Sequence, residues 1–402
     1  MSSSGLSAAR LVRVHDALAR HVESGRLPGA AAMVVRRDEA WVDVVGDADR
    51  EGTPLQRDAI FRISSLTKPV TAVATLMLIE DGRLRLDESV EGLLPELAGR
   101  RVLTSLDAPL DETTPATSPI TVRHLLTFQM GLGLVLAYPG TYPIQQALDE
   151  LELGQGPPNP QVPPAPEEWM HRLGSLPLIH QPGAGWMYNT GSDVLGVLLA
   201  RATGQLFEDV LRERVFEPLG MSDTGFHVPA DQLGRLTSLY WSNPFADEGG
   251  EVLYDAPDGQ WSRSPAFPSG AGGLVSTIDD YAAFARMLLR EGRAHDGTRL
   301  LSRASVELMT TDRLPAGRSY SEMTNGFFDT FGWGFGVAMV KRRTGVLPVG
   351  TYGWDGGLGA AWRNDPSEQM TTLLMAPSAW ESPDPPAYVE DFWTAAYAAI
   401  DD

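Results

Sequence analysis

Residues 61–84 read FRISSLTKPVTAVATLMLIEDGRL. From Ser64 to Ile79 the pattern is that of a helix apolar on nearly every side, and Asp81-Gly82 supply its stop. A helix of that kind is buried, so it belongs to a core covered on all sides. At its mouth stands Ser65-Leu66-Thr67-Lys68. Three residues make nearly one helical turn, which puts the hydroxyl and the amine on one face, about 5–6 Å apart at Cβ. A serine hydroxyl is a weak nucleophile until a neighbouring base takes its proton. A lysine desolvated at an apolar helix mouth has its pKa lowered towards that task. Pro69 to Ile79 then runs eleven residues without a charge. Ser64 has no lysine three residues on, so Ser65 is the candidate nucleophile.

Working outward, the N-terminal flank holds Leu11, Val14, Leu18 and Val22 at helical spacing. AAAMVV and WVDVVG, joined by Arg36–Ala40, read as a hairpin. Downstream, helical and loop-rich sequence runs to about residue 260. Pro157 to Pro166 holds six prolines in ten residues, a semi-rigid surface loop. β character returns near residue 270. GAGGLVST precedes a helix over 278–291, with Tyr281, Phe284, Met287 and Leu288 on one face. GLGAAW and MTTLLMA flank the turn Arg363-Asn364-Asp365-Pro366. A last helix bears Val389, Phe392, Trp393, Ala396 and Ile400. The expectation is an α+β fold: an antiparallel sheet built from both termini (1–62 plus 262–402), flanked by helices. A mostly helical domain (63–261) is inserted, carrying the nucleophile helix and a tyrosine loop.

Composition bounds the partners. Lys+Arg number 32 and Asp+Glu 52, giving a net charge of −20 over 402 residues. That balance argues against nucleic acid and against anionic membrane surfaces. With no cysteine, thiolate metal sites and a cysteine nucleophile are excluded. The seven histidines show no metal-ligand spacing with carboxylates, and there is no phosphate loop or dinucleotide fingerprint. No metal and no cofactor are expected. The N-terminal stretch lacks the apolar run of a signal peptide, and Pro69–Ile79 is too short to span a bilayer, so the expected location is cytoplasmic. Of the 32 basic residues only Lys68 and Lys341 are lysines. Arginine cannot serve as a base at ordinary pH, whereas a desolvated lysine can.

Two further stretches carry chemistry. Gly185-Trp186-Met187-Tyr188-Asn189-Thr190-Gly191-Ser192-Asp193 delivers a tyrosine just before the apolar run VLGVLLARATG. A phenol next to a lysine can relay a proton. Tyr352-Gly353-Trp354-Asp355-Gly356-Gly357-Leu358-Gly359 leads into the last hairpin. Its glycines permit close backbone approach, and an N–H there can share an oxyanion with that of Ser65.

In this order, on a sheet made by both termini, the three stretches resemble the serine β-lactamase and penicillin-binding-protein superfamily. The match is to its class C-like branch of carboxylesterases, amide hydrolases, D-amino peptidases and acyltransferases, over roughly residues 10–400. FRISSLTKPVTAVATLMLIEDGRL, TVRHLLTFQMGL, YNTGSDVLGVLLARATG and GAGGLVSTIDDYAAFARMLL are similar to successive blocks of that branch. The resemblance implies Ser65 as the acylated nucleophile, Lys68 and Tyr188 as bases, and Ser65 and Gly357 as oxyanion donors. Trp354, Asp355, Gly356, Asn189 and Thr190 would line the substrate site.

Departures are visible. Tyr-x-Asn is replaced by Tyr188 with Thr190 two residues on, and Asn189 between them. The branch's His-Thr-x-Gly-Leu is Phe128-Gln129-Met130-Gly131-Leu132. The third motif, Lys-Thr-Gly or His-x-Gly in antibiotic-acting relatives, is Trp354-Asp355-Gly356, with Arg343-Thr344-Gly345 as a competing assignment. The expected activity is hydrolysis of a small-molecule ester or amide, carboxylic esters first. The rivals are an acyltransferase or peptide hydrolase or cyclase on the same site, a β-lactamase or D-amino peptidase, and an inactive binding protein. The loop 133–169 would decide between water and another acceptor.

Overall fold

The computed structural model describes residues 4–154, 156–242, 250–315 and 326–402. Seven strands form the central sheet: β1 (Gly29–Arg36), β2 (Glu39–Gly46), β3 (Phe331–Trp333), β4 (Ala338–Val340), β5 (Tyr352–Gly356), β6 (Ala360–Asp365) and β7 (Met370–Met375). Their order is β2-β1-β7-β6-β5-β4-β3, antiparallel throughout. Both ends of the chain therefore build one sheet, as the apolar runs near each terminus predict. The first hairpin closes through Arg37-Asp38, with Arg37 at φ 56°.

Every residue of β1 is buried. Successive side chains of a strand point to opposite faces, and here both faces are covered. Ala30, Ala32 and Val34 meet helices α1 (Ala8–Glu23) and α5 (Ala387–Ala398), through Leu11, Val14, Leu18, Val389 and Phe392. Ala31, Met33 and Val35 join the opposite core, with Trp362 and Leu373 of the neighbouring strands. There α2 (Thr67–Glu80) and α4 (Ile278–Leu289) pack, Tyr281 and Phe284 flanking Trp362 edge-on. Each such aromatic or aliphatic chain, fully buried, stabilises the fold by about 1.5–3 kcal/mol before entropy is counted. AAAMVV reads as an unbroken apolar run because neither face meets water.

The apolar helix α2 begins later than its sequence pattern indicates. Ser64–Leu66 form a 3₁₀ turn, and Ser64 sits at φ 45°. The turn reverses the chain from the short strand Phe61–Arg62, paired with Val275–Ser276, into the helix. Beyond α2 the chain is mostly helical, including α3 (Thr190–Thr203), which packs on α2. It also holds two small ribbons, Arg101–Leu103 with Thr113–Pro115 and Leu239–Ser242 with Glu251–Asp255, which periodicity had not marked. The loop 133–169 contains a helix at Pro143–Glu150. Pro166 opens a further helix, Pro166–Ser175, at the position where a missing N–H costs nothing. The proline-rich stretch before it is pinned. Tyr254 donates to the Pro158 carbonyl at 2.7 Å, and Gln161 donates to the Gln260 and Arg263 carbonyls. Among the described residues no helix is long and apolar enough to cross a membrane.

Candidate active site

Ser65 stands on the 3₁₀ turn and Lys68 on the first turn of α2. Lys68 Nζ donates to Ser65 Oγ at 2.9 Å and to the Ala271 carbonyl at 2.6 Å. Only 1% of Lys68 is exposed. Burial disfavours its charged form and lowers its pKa well below the ordinary lysine range, with Asp193 opposing the shift. The one-turn spacing read from the sequence thus becomes a hydrogen bond.

Tyr188 arrives by a strained route. Its carbonyl accepts from Thr190 N–H at 3.2 Å across Asn189, which sits at φ 82°, ψ −74°. That is a γ-turn of the rare, strained kind. Asparagine tolerates positive φ better than most residues. Asn189 thus shapes the backbone that presents the phenol. The Tyr188 carbonyl also accepts from Leu134 N–H at 2.8 Å, and Gly133 permits the approach, since a Cβ there would lie 2.5 Å from that oxygen. Thr190 is buried, and its hydroxyl has no partner among the described residues. The Tyr188 ring lies under Lys68 Nζ, 4.4 Å from its centroid. Burial pushes the phenol's pKa upward, and hydrogen bonds with Ser65 and Trp354 only partly offset this. Tyr188 is therefore a neutral phenol at ordinary pH.

Strand β5 supplies the third wall. Trp354 Nε1 donates to the Tyr188 hydroxyl at 2.7 Å. The next residue faces the other way, as strand alternation requires. The Asp355 carboxylate is gripped by Arg363 at 2.7 and 2.6 Å, beside Trp393 on the α5 side of the sheet. The expected substrate contact of Asp355 is corrected accordingly: its side chain belongs to a partly buried ion pair. Gly356 passes so close to the nucleophile turn that a Cβ would lie 2.2 Å from the Ile63 carbonyl. Gly357 follows, exposed, with nothing within 4 Å of where a Cβ would stand. Arg343 lies between β4 and β5, exposed, donating to the Gly345 and Val346 carbonyls. Of the two candidates for the third motif, Trp354 is the one that contacts Tyr188.

The β-lactamase family profile matches residues 14–387. The chain belongs to the β-lactamase family. Protein Rv1367c of Mycobacterium tuberculosis is 37% identical over 362 residues, covering 88% of this chain and 86% of that protein. Esterase EstB of Burkholderia gladioli is 32% identical over 396 residues, covering 93% and 91%. Among solved structures, EstCE1, described as a hydrolase with promiscuous acyltransferase activity, superposes with a TM-score of 0.79 at 26% identity over 97% of this chain and 98% of its own. The fold is that of these β-lactamase-type proteins, and the chain is an enzyme of the serine hydrolase class.

Two features of this β-lactamase-family site escaped sequence reasoning. One is the aromatic setting of Tyr188. Phe128, Trp186, Trp333 and Trp354 surround it with ring centroids 5.6, 5.6, 6.3 and 5.7 Å away. Phe128, where the branch carries histidine, packs edge-on against the phenol. The only local signal was Trp186, two residues before Tyr188. The other feature is Asp193, whose carboxylate is buried on the first turn of α3. An acid there reads as ordinary helix N-terminal chemistry.

Proposed function

We propose that the chain hydrolyses carboxylic esters through an acyl-enzyme on Ser65. The observation that carries this reading is the 2.9 Å contact between Ser65 Oγ and a fully buried Lys68 Nζ. With its pKa depressed, Lys68 is the base that accepts the Ser65 proton as Oγ bonds to the ester carbon. The oxyanion so formed is met by the N–H groups of Ser65 and Gly357. The carbon–oxygen bond to the alcohol then breaks, and the departing oxygen takes the proton back from Lys68 through the Tyr188 hydroxyl. That hydroxyl accepts from Trp354, which leaves its own proton for the Ser65 side. Water repeats the cycle: its proton goes to Lys68, its oxygen to the acyl carbon, and Ser65 leaves reprotonated.

A second reading, acyl transfer to an alcohol or amine in place of water, is favoured by the likeness to EstCE1. Intact mass after incubation with a p-nitrophenyl ester and with a fluorophosphonate tests the covalent step. A single adduct on Ser65 is expected, transient with the ester and lasting with the phosphonate. Adding a primary alcohol to the ester assay separates the readings, since transfer makes a new ester in proportion to the alcohol. No adduct on Ser65 would end both.

Esters are expected to outpace β-lactams and D-Ala-D-Ala peptides. Those substrates carry a carboxylate beside the scissile amide. At Trp354 this site offers one N–H, already taken by Tyr188, and no charge. A carboxylate desolvated there without a partner loses about 1–3 kcal/mol, roughly tenfold to a hundredfold in binding. Comparison of kcat/KM for p-nitrophenyl butyrate and nitrocefin checks this. Equal values would overturn it.

A further inference from the structure

Asp193 is a buried carboxylate that the acyl chemistry above does not use. It is 6% exposed and has no cation within 4 Å among the described residues. A charge so placed is costly unless something compensates it. Its Oδ1 accepts from Ser269 Oγ at 2.6 Å and from Ala271 N–H at 3.1 Å. The carbonyl of the same Ala271 accepts from Lys68 Nζ at 2.6 Å. One residue thus stands between the carboxylate and the ammonium, its N–H on one and its C=O on the other. The segment is clamped between two helices. The Gly270 carbonyl accepts from Thr71 of α2 at 2.9 Å, and a Cβ on Gly270 would lie 2.4 Å from the Ser192 carbonyl of α3. Only glycine lets this turn slide in so close.

We propose that Asp193 is the positioning residue and counter-charge for Lys68, acting across Ala271. It fixes the carbonyl that anchors the lysine nitrogen opposite Ser65, and its charge favours the ammonium form. The proposal rests on the reading of Lys68 as the base.

The charges around Lys68 agree. From the loop before α3 it faces Tyr188, a neutral phenol, and from the turn before α2 the Ser65 hydroxyl. The charge of Asp355 on β5 is neutralised by Arg363 on β6. Among the described residues, Asp193 on α3 is left as the uncompensated charge acting on the lysine. Burial lowers the Lys68 pKa and Asp193 raises it again; burial raises the Asp193 pKa while Ser269, Lys68 and Ala271 lower it. The lysine must be neutral to accept a proton, so kcat/KM rises as pH climbs through its pKa.

Asp193→Asn keeps an oxygen for both donors and removes the charge. The acidic limb of the kcat/KM profile for p-nitrophenyl butyrate then moves to lower pH, by about one unit. The plateau falls severalfold, because a weaker base pulls less on the serine proton. Ser269→Ala removes the shorter donor to Asp193, which lets the carboxyl pKa rise and its charge weaken, and so moves the limb the same way by less. It carries the measurement alone if Asp193→Asn does not fold. A purely structural Asp193 would lower activity at every pH and leave the limb in place. A limb that stays put or moves to higher pH in these variants, while Ser65→Ala still abolishes turnover, overturns the proposal and leaves the acyl-enzyme reading standing. Native turnover by Lys68→Arg would instead remove the reading beneath it.

Discussion

Ser65→Ala loses ester turnover by on the order of 10⁴-fold or more, with no fall in thermal stability. The side chain lost is one hydroxyl on a half-buried turn, so little packing goes with it. What remains is binding and whatever the oxyanion donors do for direct attack by water. The check is kcat for p-nitrophenyl butyrate alongside circular dichroism melting. Retention of more than a few per cent of turnover would mean that another group is acylated. The same variant must also lose the fluorophosphonate adduct, which makes the result independent of any assay background.

Lys68→Arg is the second large effect, a loss of about a hundredfold or more in kcat. Arginine keeps the positive charge and can still donate to the Ala271 carbonyl. It cannot accept a proton at any pH the fold survives. Its longer, planar head must also fit a slot in which lysine is 1% exposed, so melting has to be measured in parallel. A folded variant with near-native kcat would show that position 68 acts as a fixed charge, and the base would then have to be sought elsewhere. The pH profile adds a second reading: the unmodified enzyme shows an acidic limb lying below the ordinary lysine range, and the residual activity of Lys68→Arg shows none there.

Much of this site was legible because it is local in sequence. Ser65 and Lys68 are three residues apart, and one helical turn suffices to join them. The sheet was legible for a related reason: runs such as AAAMVV and MTTLLMA are apolar over their whole length only when both faces are covered. Register was not legible. Trp354 and Asp355 are neighbours in sequence, yet one meets Tyr188 and the other meets Arg363 on β6. Nothing short of the strand pairing says which faces the serine. The resemblance implies Asn189 as a lining residue of the substrate site, while its backbone is what the γ-turn uses. The left-handed Ser64 beside the nucleophile was equally hidden, since serine shows no preference for that conformation. Asp193 escaped because its partners, Ser269 and Ala271, come from a segment brought in from far along the chain.

The pairing of β1 has a consequence for synthesis. Its outer edge meets β2 at once, through a two-residue turn, but its inner edge pairs with β7, Val34 opposite Thr372. On the ribosome residues 30–35 emerge more than 300 residues ahead of the strand that covers them. Throughout that interval an apolar strand holds an open row of N–H and C=O groups, the arrangement that recruits other chains. Such distant pairing is also slow to form once the chain is free. Yield in a heterologous host therefore depends on shielding this one edge, and growth at low temperature or extra chaperone should raise the soluble fraction.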